Sequence, residues 1–213
     1  MTESSDLSFI ELKNPTNPAT LFHEWINEAK QCGAKPSLMN LATATRNGKV
    51  SNRTMVIREI MSDASLVFMA QAKSNKIKEI NENPQVAATI LLMYVDNNEN
   101  ISRQVRIVGN AETLPQDQCI IYFEKDSLPA KIRSWICQEC KPTDWNELKT
   151  KHDELLKEVK ENKRVLEAPD TLVAYKIIPS EMEFYSSVGN TIADRILFTK
   201  EESGQWKHER LMT

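Results

Sequence analysis

The sequence predicts an α+β fold in which an antiparallel β-barrel is interrupted by a helical insertion. Strand-like apolar segments occupy the chain up to Thr113 and return after Leu172, whereas residues 114–164 carry the apolar spacing of helices. The dipeptide Asn47-Gly48 lies between two strand-like segments, and it is the strongest short signal for a hairpin. Strands and helices that fall in separate parts of a chain are typical of α+β domains.

The overall composition is that of an ordinary globular domain. Apolar residues make up 40% of the 213 residues, charged residues make up 27%, and the net charge is −3. This balance gives no general attraction to nucleic acid or to a membrane, and no apolar run approaches the roughly 20 residues of a membrane helix.

Four cysteines are too few for a disulfide scaffold, so we expect a reducing, cytoplasmic setting. Residues 1–16 lack the features of a secretory signal, and we expect them to form a flexible arm.

Individual elements follow from the periodicity and from start and stop signals. Helices are predicted at residues 18–32, 74–83, 116–124, 130–137 and 144–161, and strands at residues 38–45, 50–60, 65–71, 85–95, 101–113, 172–178, 182–185, 196–199 and 206–210. The segment 85–95 is almost entirely apolar, so we expect a strand that is buried on both faces. The chain has only five glycines and no Gly-rich loop between a strand and a helix, which argues against a Rossmann domain or a P-loop.

The isolated motifs that could carry chemistry are weak. Cys137 and Cys140 form a CxxC, but a zinc site needs a second pair of ligands and a redox domain needs a thioredoxin-like βαβ setting. The three histidines lie far apart, and no nucleophile motif such as GxSxG is present. We therefore expect two reduced thiols near a helix end and no metal site, and the residues identify no catalytic group.

The basic residues of the barrel half offer two candidate sites. Lys73, Lys76 and Lys78 surround the start of the helix predicted at 74–83, where free N–H groups and the helix dipole favour a phosphate. The same pattern is common among solvated lysines. The stretch Arg103-Gln104-Val105-Arg106 lies on a strand, either at the surface or directed across a subunit interface, and spacing alone does not decide between the two.

The order of several segments resembles a known family. NPATLFHEWINEA, LATATRNGKVSNRTMVI, SNKIKEINENP, SRQVRIVGNAETLP, MEFY, DRILF and WKHERLMT follow one another as in the pyridoxamine 5′-phosphate oxidase family. The resemblance implies a single split β-barrel domain at residues 17–213. Within it we expect a helical insertion at about 115–165 and a C-terminal dimerisation region at about 170–213. It also implies a homodimer with two FMN sites at the subunit interface.

The resemblance implies a reaction as well. In that family, the flavin takes a hydride from the carbon that bears the amine or alcohol of a vitamin B6 phosphate. Oxygen then reoxidises the flavin, so the products are pyridoxal 5′-phosphate and hydrogen peroxide. The cofactor carries the chemistry, while the protein binds and orients the reactants. The implied partner is therefore a small molecule.

Site residues are carried over by position. Arg58 and Tyr122 correspond to groups that hold the substrate phosphate, Arg53 and Lys76 to groups that hold the FMN phosphate, and Gln104 to a contact from the second subunit. Asn75 and Tyr185 stand where the family has Arg and Trp. The implied FMN-binding residues are Arg53, Thr54, Met55, Val56, Asn75, Lys76, Gln104, Tyr185 and Arg195.

The sequence departs from the family at the substrate. The family's RLHDR motif is here residues 191–195, so that Thr191 and Ala193 replace its substrate-binding Arg and His. Asp126 stands where an Arg would meet the substrate phosphate, and two like charges about 4 Å apart repel by about 4 kcal/mol at an effective dielectric of 20. Three readings follow: an oxidase of pyridoxamine or pyridoxine 5′-phosphate, a split-barrel flavoenzyme with another substrate, and a non-catalytic paralogue that binds FMN, B6 vitamers or a protein partner.

Overall fold

The computed structural model describes residues 6–212, and a single sheet of nine strands dominates it. The strands are β1 (Leu38–Ala44), β2 (Val50–Val56), β3 (Glu59–Ile60), β4 (Leu66–Gln71), β5 (Gln85–Asp96), β6 (Glu99–Thr113), β7 (Leu172–Val188), β8 (Asp194–Lys200) and β9 (Trp206–Leu211). The helices are α1 (Pro18–Gln31), α2 (Asn75–Glu82), α3 (Gln116–Glu124), α4 (Leu128–Ile136) and α5 (Trp145–Lys160).

The sheet is antiparallel at every pairing between these strands. Its order is β2-β1-β5-β6-β7-β4-β3, with β8 paired to β7 and β9 paired to β8. Helices α3 to α5 follow β6 and precede β7. The predicted α+β class is therefore confirmed. None of the described helices is long and apolar enough to cross a membrane.

The first hairpin forms as predicted, but the return strand is shorter than expected. Gly48 adopts a φ of +83° in the turn between β1 and β2, a backbone conformation that suits glycine. The strand predicted at 50–60 is divided, because the chain changes its hydrogen-bonding partner after Val56. Ile57 still donates its N–H to Ser37 next to β1, whereas Arg58 donates to Val67 of β4. This change of partner places the Arg58 side chain at a corner between two parts of the sheet.

The prediction that β5 is buried on both faces is wrong. Ile90 and Leu92 are buried, but Leu91, Met93 and Val95 are 58%, 66% and 59% exposed. The strand alternates because only one of its faces is covered by the rest of the chain. Contiguous apolar side chains on an open face are typical of a surface that meets another protein.

The two strands predicted at 172–178 and 182–185 are one long strand, β7. The register between β6 and β7 shifts between Val108 and Gly109, so the pairing continues past the break that the sequence suggests. Gly109 is required at this point, because a Cβ there would lie 2.0 Å from the carbonyl oxygen of Ile178. The continuous strand pairs with β6 along one edge, and its C-terminal half pairs with β8 along the other.

The N-terminal segment packs against the loop that carries Thr191. Of the predicted arm at residues 1–16, residues 1–5 lie outside the described part of the chain. The N–H of Ser8 donates to the carbonyl of Ile192 at 2.8 Å, and the hydroxyls of Ser8 and Thr191 lie 2.5 Å apart. The N–H of Ile10 donates to an Asp194 carboxylate oxygen at 2.8 Å, and the Ile10 side chain is buried. The segment therefore packs against the loop before β8, at residues 191–194.

Candidate functional site

A cavity of about 280 Å³ brings together several of the predicted site residues. Its lining includes Thr54, Met55, Val56 and Arg58 from β2 and the corner after it, together with Lys76 from α2. A larger cavity of about 490 Å³ lies elsewhere, beside α1. None of the residues predicted to bind FMN or substrate lines that larger cavity, so the smaller one is the candidate site.

The start of α2 carries an unsatisfied polar group. Ser74 precedes the helix and is only 7% exposed, and its hydroxyl is the one buried side-chain N or O atom in the described chain without a hydrogen-bond partner. Lys76 is partly buried, and no carboxylate within residues 6–212 forms an ion pair with it. Burial lowers the pKa of Lys76, and the nearby Arg53 lowers it further. A bound anion would satisfy the hydroxyl and offset both effects.

Arg53 lies near the start of α2, but other groups of the chain already hold its guanidinium. One guanidinium nitrogen donates to the hydroxyl of Thr43 at 2.6 Å, and another lies 3.4 Å from a carboxylate oxygen of Glu79. Hydrogen bonds from Thr43 and then Ser51 lower the pKa of Glu79 against the opposing effect of burial, and the Arg53 charge lowers it further. Arg53 therefore does not line the cavity, and it acts on Lys76 through its charge.

The Glu79 network yields a prediction for stability. We expect Glu79→Gln to lower the free energy of unfolding by about 1–3 kcal/mol at neutral pH, because buried donors lose a charged acceptor. The folded pKa of Glu79 lies below the ordinary value of 4.5. The stabilisation is therefore complete above that value and disappears as the pH falls through the folded pKa. Urea denaturation at neutral and acidic pH measures it, with the exposed Glu124→Gln as control. A loss that does not depend on pH would contradict the assignment.

The two residues predicted to hold the substrate are already paired with carboxylates. Arg58 forms a bidentate ion pair with Asp126, and the distance from Arg58 Nη2 to Asp126 Oδ2 is 3.0 Å. The side chains of Arg58 and Asp126 are 18% and 6% exposed. The Tyr122 hydroxyl donates to Glu59 at 2.5 Å, and burial together with Glu59 raises the pKa of Tyr122 to about 12. The expectation that Asp126 is an uncompensated negative charge is therefore wrong. Asp126 and Arg58 neutralise each other.

The remaining predicted residues form a second group, away from the cavity. Gln104 on β6 lies opposite Tyr185 on β7, and Tyr185 lies opposite Arg195 on β8. None of the three lines the cavity. These three residues are aligned across neighbouring strands and form a row of the sheet. The row continues to the exposed Leu91 on β5, which pairs with Gln104. Asn75 is exposed at the first position of α2.

Several residues of the site were not predicted. Gln71, Arg133, Ser134, Cys137 and Leu172 also line the cavity. The side-chain amide of Gln71 donates to the Ser134 carbonyl at 2.7 Å and so fixes α4 beside β4. Arg133 and Cys137 are four residues apart on a predicted helix, so their shared face could have been read from the sequence. No three metal-ligating side chains cluster anywhere in residues 6–212.

The fold and this site define a class of protein: an antiparallel sheet of split-barrel type, with a cavity between the sheet and the start of α2. Residues 26–167 match the family model described as pyridoxamine 5′-phosphate oxidase. Residues 173–213 match the model described as the pyridoxine 5′-phosphate oxidase C-terminal dimerisation region. The chain therefore belongs to the pyridoxamine 5′-phosphate oxidase family.

Two relatives in sequence share a name. The pyridoxine/pyridoxamine 5′-phosphate oxidase of Rubrobacter xylanophilus is 30% identical over 201 residues, covering 92% of this chain and 86% of the relative. The protein of the same name from Alteromonas mediterranea is 28% identical over 198 residues, covering 92% of this chain and 90% of the relative. The chain is thus a divergent family member.

Solved structures share the fold. PhzG from Burkholderia lata, in complex with tetrahydrophenazine-1-carboxylic acid, aligns with a TM-score of 0.82 and 24% identity, over 98% of this chain and all of that chain. A pyridoxamine 5′-phosphate oxidase-related, FMN-binding protein from Nostoc punctiforme aligns with a TM-score of 0.66 and 17% identity, over 91% and 96% of the two chains. At these identities the comparison shows the split-barrel fold.

Proposed function

We propose that the chain is an FMN-dependent oxidase that works as a homodimer. The observation that carries the proposal is the anion site at α2, where the buried hydroxyl of Ser74 has no partner among the described residues and Lys76 has no carboxylate. A phosphate-bearing cofactor satisfies both groups, and the adjoining cavity accommodates the rest of that cofactor. The FMN would supply hydride acceptance and reoxidation by oxygen.

Each group of residues has a task in this proposal. Ser74, Lys76 and the first N–H groups of α2 would hold the phosphate, and residues 54–56 of the cavity wall would contact the flavin. Leu172 keeps part of the cavity wall apolar and excludes water. Gln104, Tyr185 and Arg195 complete the site from the second subunit, because they share a row of the sheet that leads to the exposed apolar strip on β5.

The first candidate substrate is pyridoxamine or pyridoxine 5′-phosphate, which would give pyridoxal 5′-phosphate and hydrogen peroxide. The names of the relatives support this reaction in vitamin B6 metabolism. It requires Arg58 and Tyr122 to release Asp126 and Glu59 when the substrate phosphate arrives. All four thiols are free, a state that a reducing compartment maintains, so we infer a cytoplasmic setting.

The ion pair between Arg58 and Asp126 favours a second candidate, an FMN-dependent oxidase of a small molecule that carries no phosphate. In this bidentate, largely buried pair, the guanidinium N–H groups that could bind a phosphate already donate to Asp126. Breaking it would leave Asp126 buried next to the incoming anion. The replacement of the family's Arg and His by Thr191 and Ala193 agrees with a substrate of different shape.

One experiment tests the proposal and separates the candidates. The purified protein is saturated with FMN, its visible spectrum is recorded, and pyridoxamine 5′-phosphate or unphosphorylated pyridoxamine is added without oxygen. Bleaching by the phosphorylated compound alone supports the first candidate. A bound-flavin spectrum that neither compound bleaches excludes the first candidate and leaves the second. The absence of a bound-flavin spectrum at high FMN would overturn the proposed function.

A further inference from the structure

The CxxC turn lies at the candidate site. Cys137 ends α4 and lines the candidate cavity, and it also lines a neighbouring cavity of about 250 Å³ that Cys140 lines as well. Cys140 adopts a φ of +49°, and its Sγ lies 3.5 Å from the carbonyl oxygen of Cys137. The turn therefore separates the two cavities, and the Cys140 side chain folds back toward Cys137.

The surroundings of the turn are cationic. Lys73 forms an ion pair with Glu139 at an N–O distance of 2.6 Å, which ties the turn to the residues before α2. Lys141 lines the neighbouring cavity, and Arg133 lines the candidate cavity. Lys76 is close enough for the charge of Cys140 to raise its pKa. Burial raises the pKa of the Cys137 thiol, and the positive charge of Arg133 opposes that effect.

We infer that Cys137 and Cys140 form a dithiol that hydrogen peroxide oxidises to a disulfide, and that the adjacent flavin cavity supplies the peroxide. The source of the peroxide rests on the proposed function. The reactivity of the pair rests only on the turn itself: both thiols are free, they are three residues apart, and one of them is exposed. The site is thus a place where the product of the enzyme modifies the wall of its own cavity.

The two thiols have different tasks in this reaction. Cys140 is exposed, whereas Cys137 is partly buried, so the Cys140 thiolate attacks first. Its sulfur bonds to one peroxide oxygen, the O–O bond breaks, and the released hydroxide takes up a proton to form water. The Cys137 thiol then attacks the sulfenic acid, the S–S bond forms, and hydroxide leaves with the Cys137 proton as a second water. The two thiols lose the two electrons that the peroxide gains.

The test uses the full chain and added hydrogen peroxide. We expect the intact mass to fall by two hydrogen atoms and the titratable thiols to fall from four to two, with dithiothreitol restoring both. Peptide mapping should join Cys137 to Cys140. With Cys137→Ser, a sulfenic acid should remain on Cys140 and be trapped by dimedone, whereas Cys140→Ser should leave Cys137 a thiol. Cys32→Ser is the matched control, because Cys32 is a partly exposed thiol away from the turn, and it should leave the disulfide unaffected.

Two results would overturn the inference. Oxidation of Cys32 or Cys119 in preference to the pair, or oxidation of Cys140 to the sulfinic acid without a disulfide, would show that the turn does not act as a dithiol. A second arm replaces added peroxide with turnover of the FMN-loaded enzyme, with and without catalase. If the disulfide formed with added peroxide but not during turnover, only the proposal that the enzyme supplies the peroxide would be overturned. The two arms therefore distinguish an inactive oxidase from an unreactive thiol pair.

Discussion

Replacing Lys76 by methionine is expected to weaken FMN binding by roughly 10- to 100-fold, the loss that corresponds to one hydrogen bond to a charged group. Methionine keeps the length of the side chain and removes its charge. The effect should be large because Lys76 is partly buried at the start of α2 beside the unpartnered Ser74 hydroxyl. Quenching of FMN fluorescence on titration with the protein measures the dissociation constant directly.

The control for this substitution lies on the same helix. Lys78 is exposed and does not line the cavity, so Lys78→Met removes the same charge without removing a contact to the cofactor. We expect its dissociation constant to stay close to that of the unchanged protein. If the two variants weakened FMN binding equally, the start of α2 would act only through its general positive charge, and the assignment of Lys76 would be wrong.

Replacing Asp126 by alanine is expected to lower the free energy of unfolding by about 3–5 kcal/mol, because Arg58 would remain largely buried without its partner. The same change should raise the affinity for a phosphorylated substrate. The freed guanidinium fork fits a phosphate, so the FMN-loaded variant should bind pyridoxamine 5′-phosphate more tightly than the unchanged protein does. Urea denaturation with and without that compound measures both effects.

Two comparisons make this prediction specific. Glu124→Ala removes an exposed carboxylate from the same helical region and should change neither stability nor affinity appreciably. Unphosphorylated pyridoxamine should not stabilise Asp126→Ala, because it cannot reach the guanidinium with a phosphate. A variant that is fully stable, or one that prefers the phosphorylated compound no more than the unchanged protein does, would show that the ion pair does not control the substrate class.

Much of the fold could be read from the sequence, because local patterns determine it. The Asn47-Gly48 turn, the apolar face of α1 and the helices between β6 and β7 all appear as predicted. The errors arise where tertiary contacts decide. The apolar composition of β5 does not reveal whether its second face is covered by the same chain or left open, and nothing local indicates the change of partner between Ile57 and Arg58.

The candidate site was only partly predictable. The order of the family-like segments along the chain predicts Lys76 and residues 54–56 as site residues, and these residues do line one cavity. It could not reveal that Arg58 pairs with Asp126, because 68 residues separate them in the chain. The sequence around Cys137 matches no known setting for a CxxC, and its position in the cavity wall depends on the packing of α4 against the sheet.

Each FMN site, as proposed, is built from two subunits, and mixing two variants gives a direct test. Lys76→Met damages one group of site residues and Arg195→Ala damages the other, so each homodimer should bind FMN poorly. Refolding them together in equal amounts gives heterodimers, verified by native mass spectrometry, in which one site carries both changes and the other carries neither. We expect about a quarter of all FMN sites to regain the affinity of the unchanged protein, because random pairing makes half of the dimers heterodimers and each of these has one unchanged site. A mixture that binds no more FMN than the separate variants would contradict it.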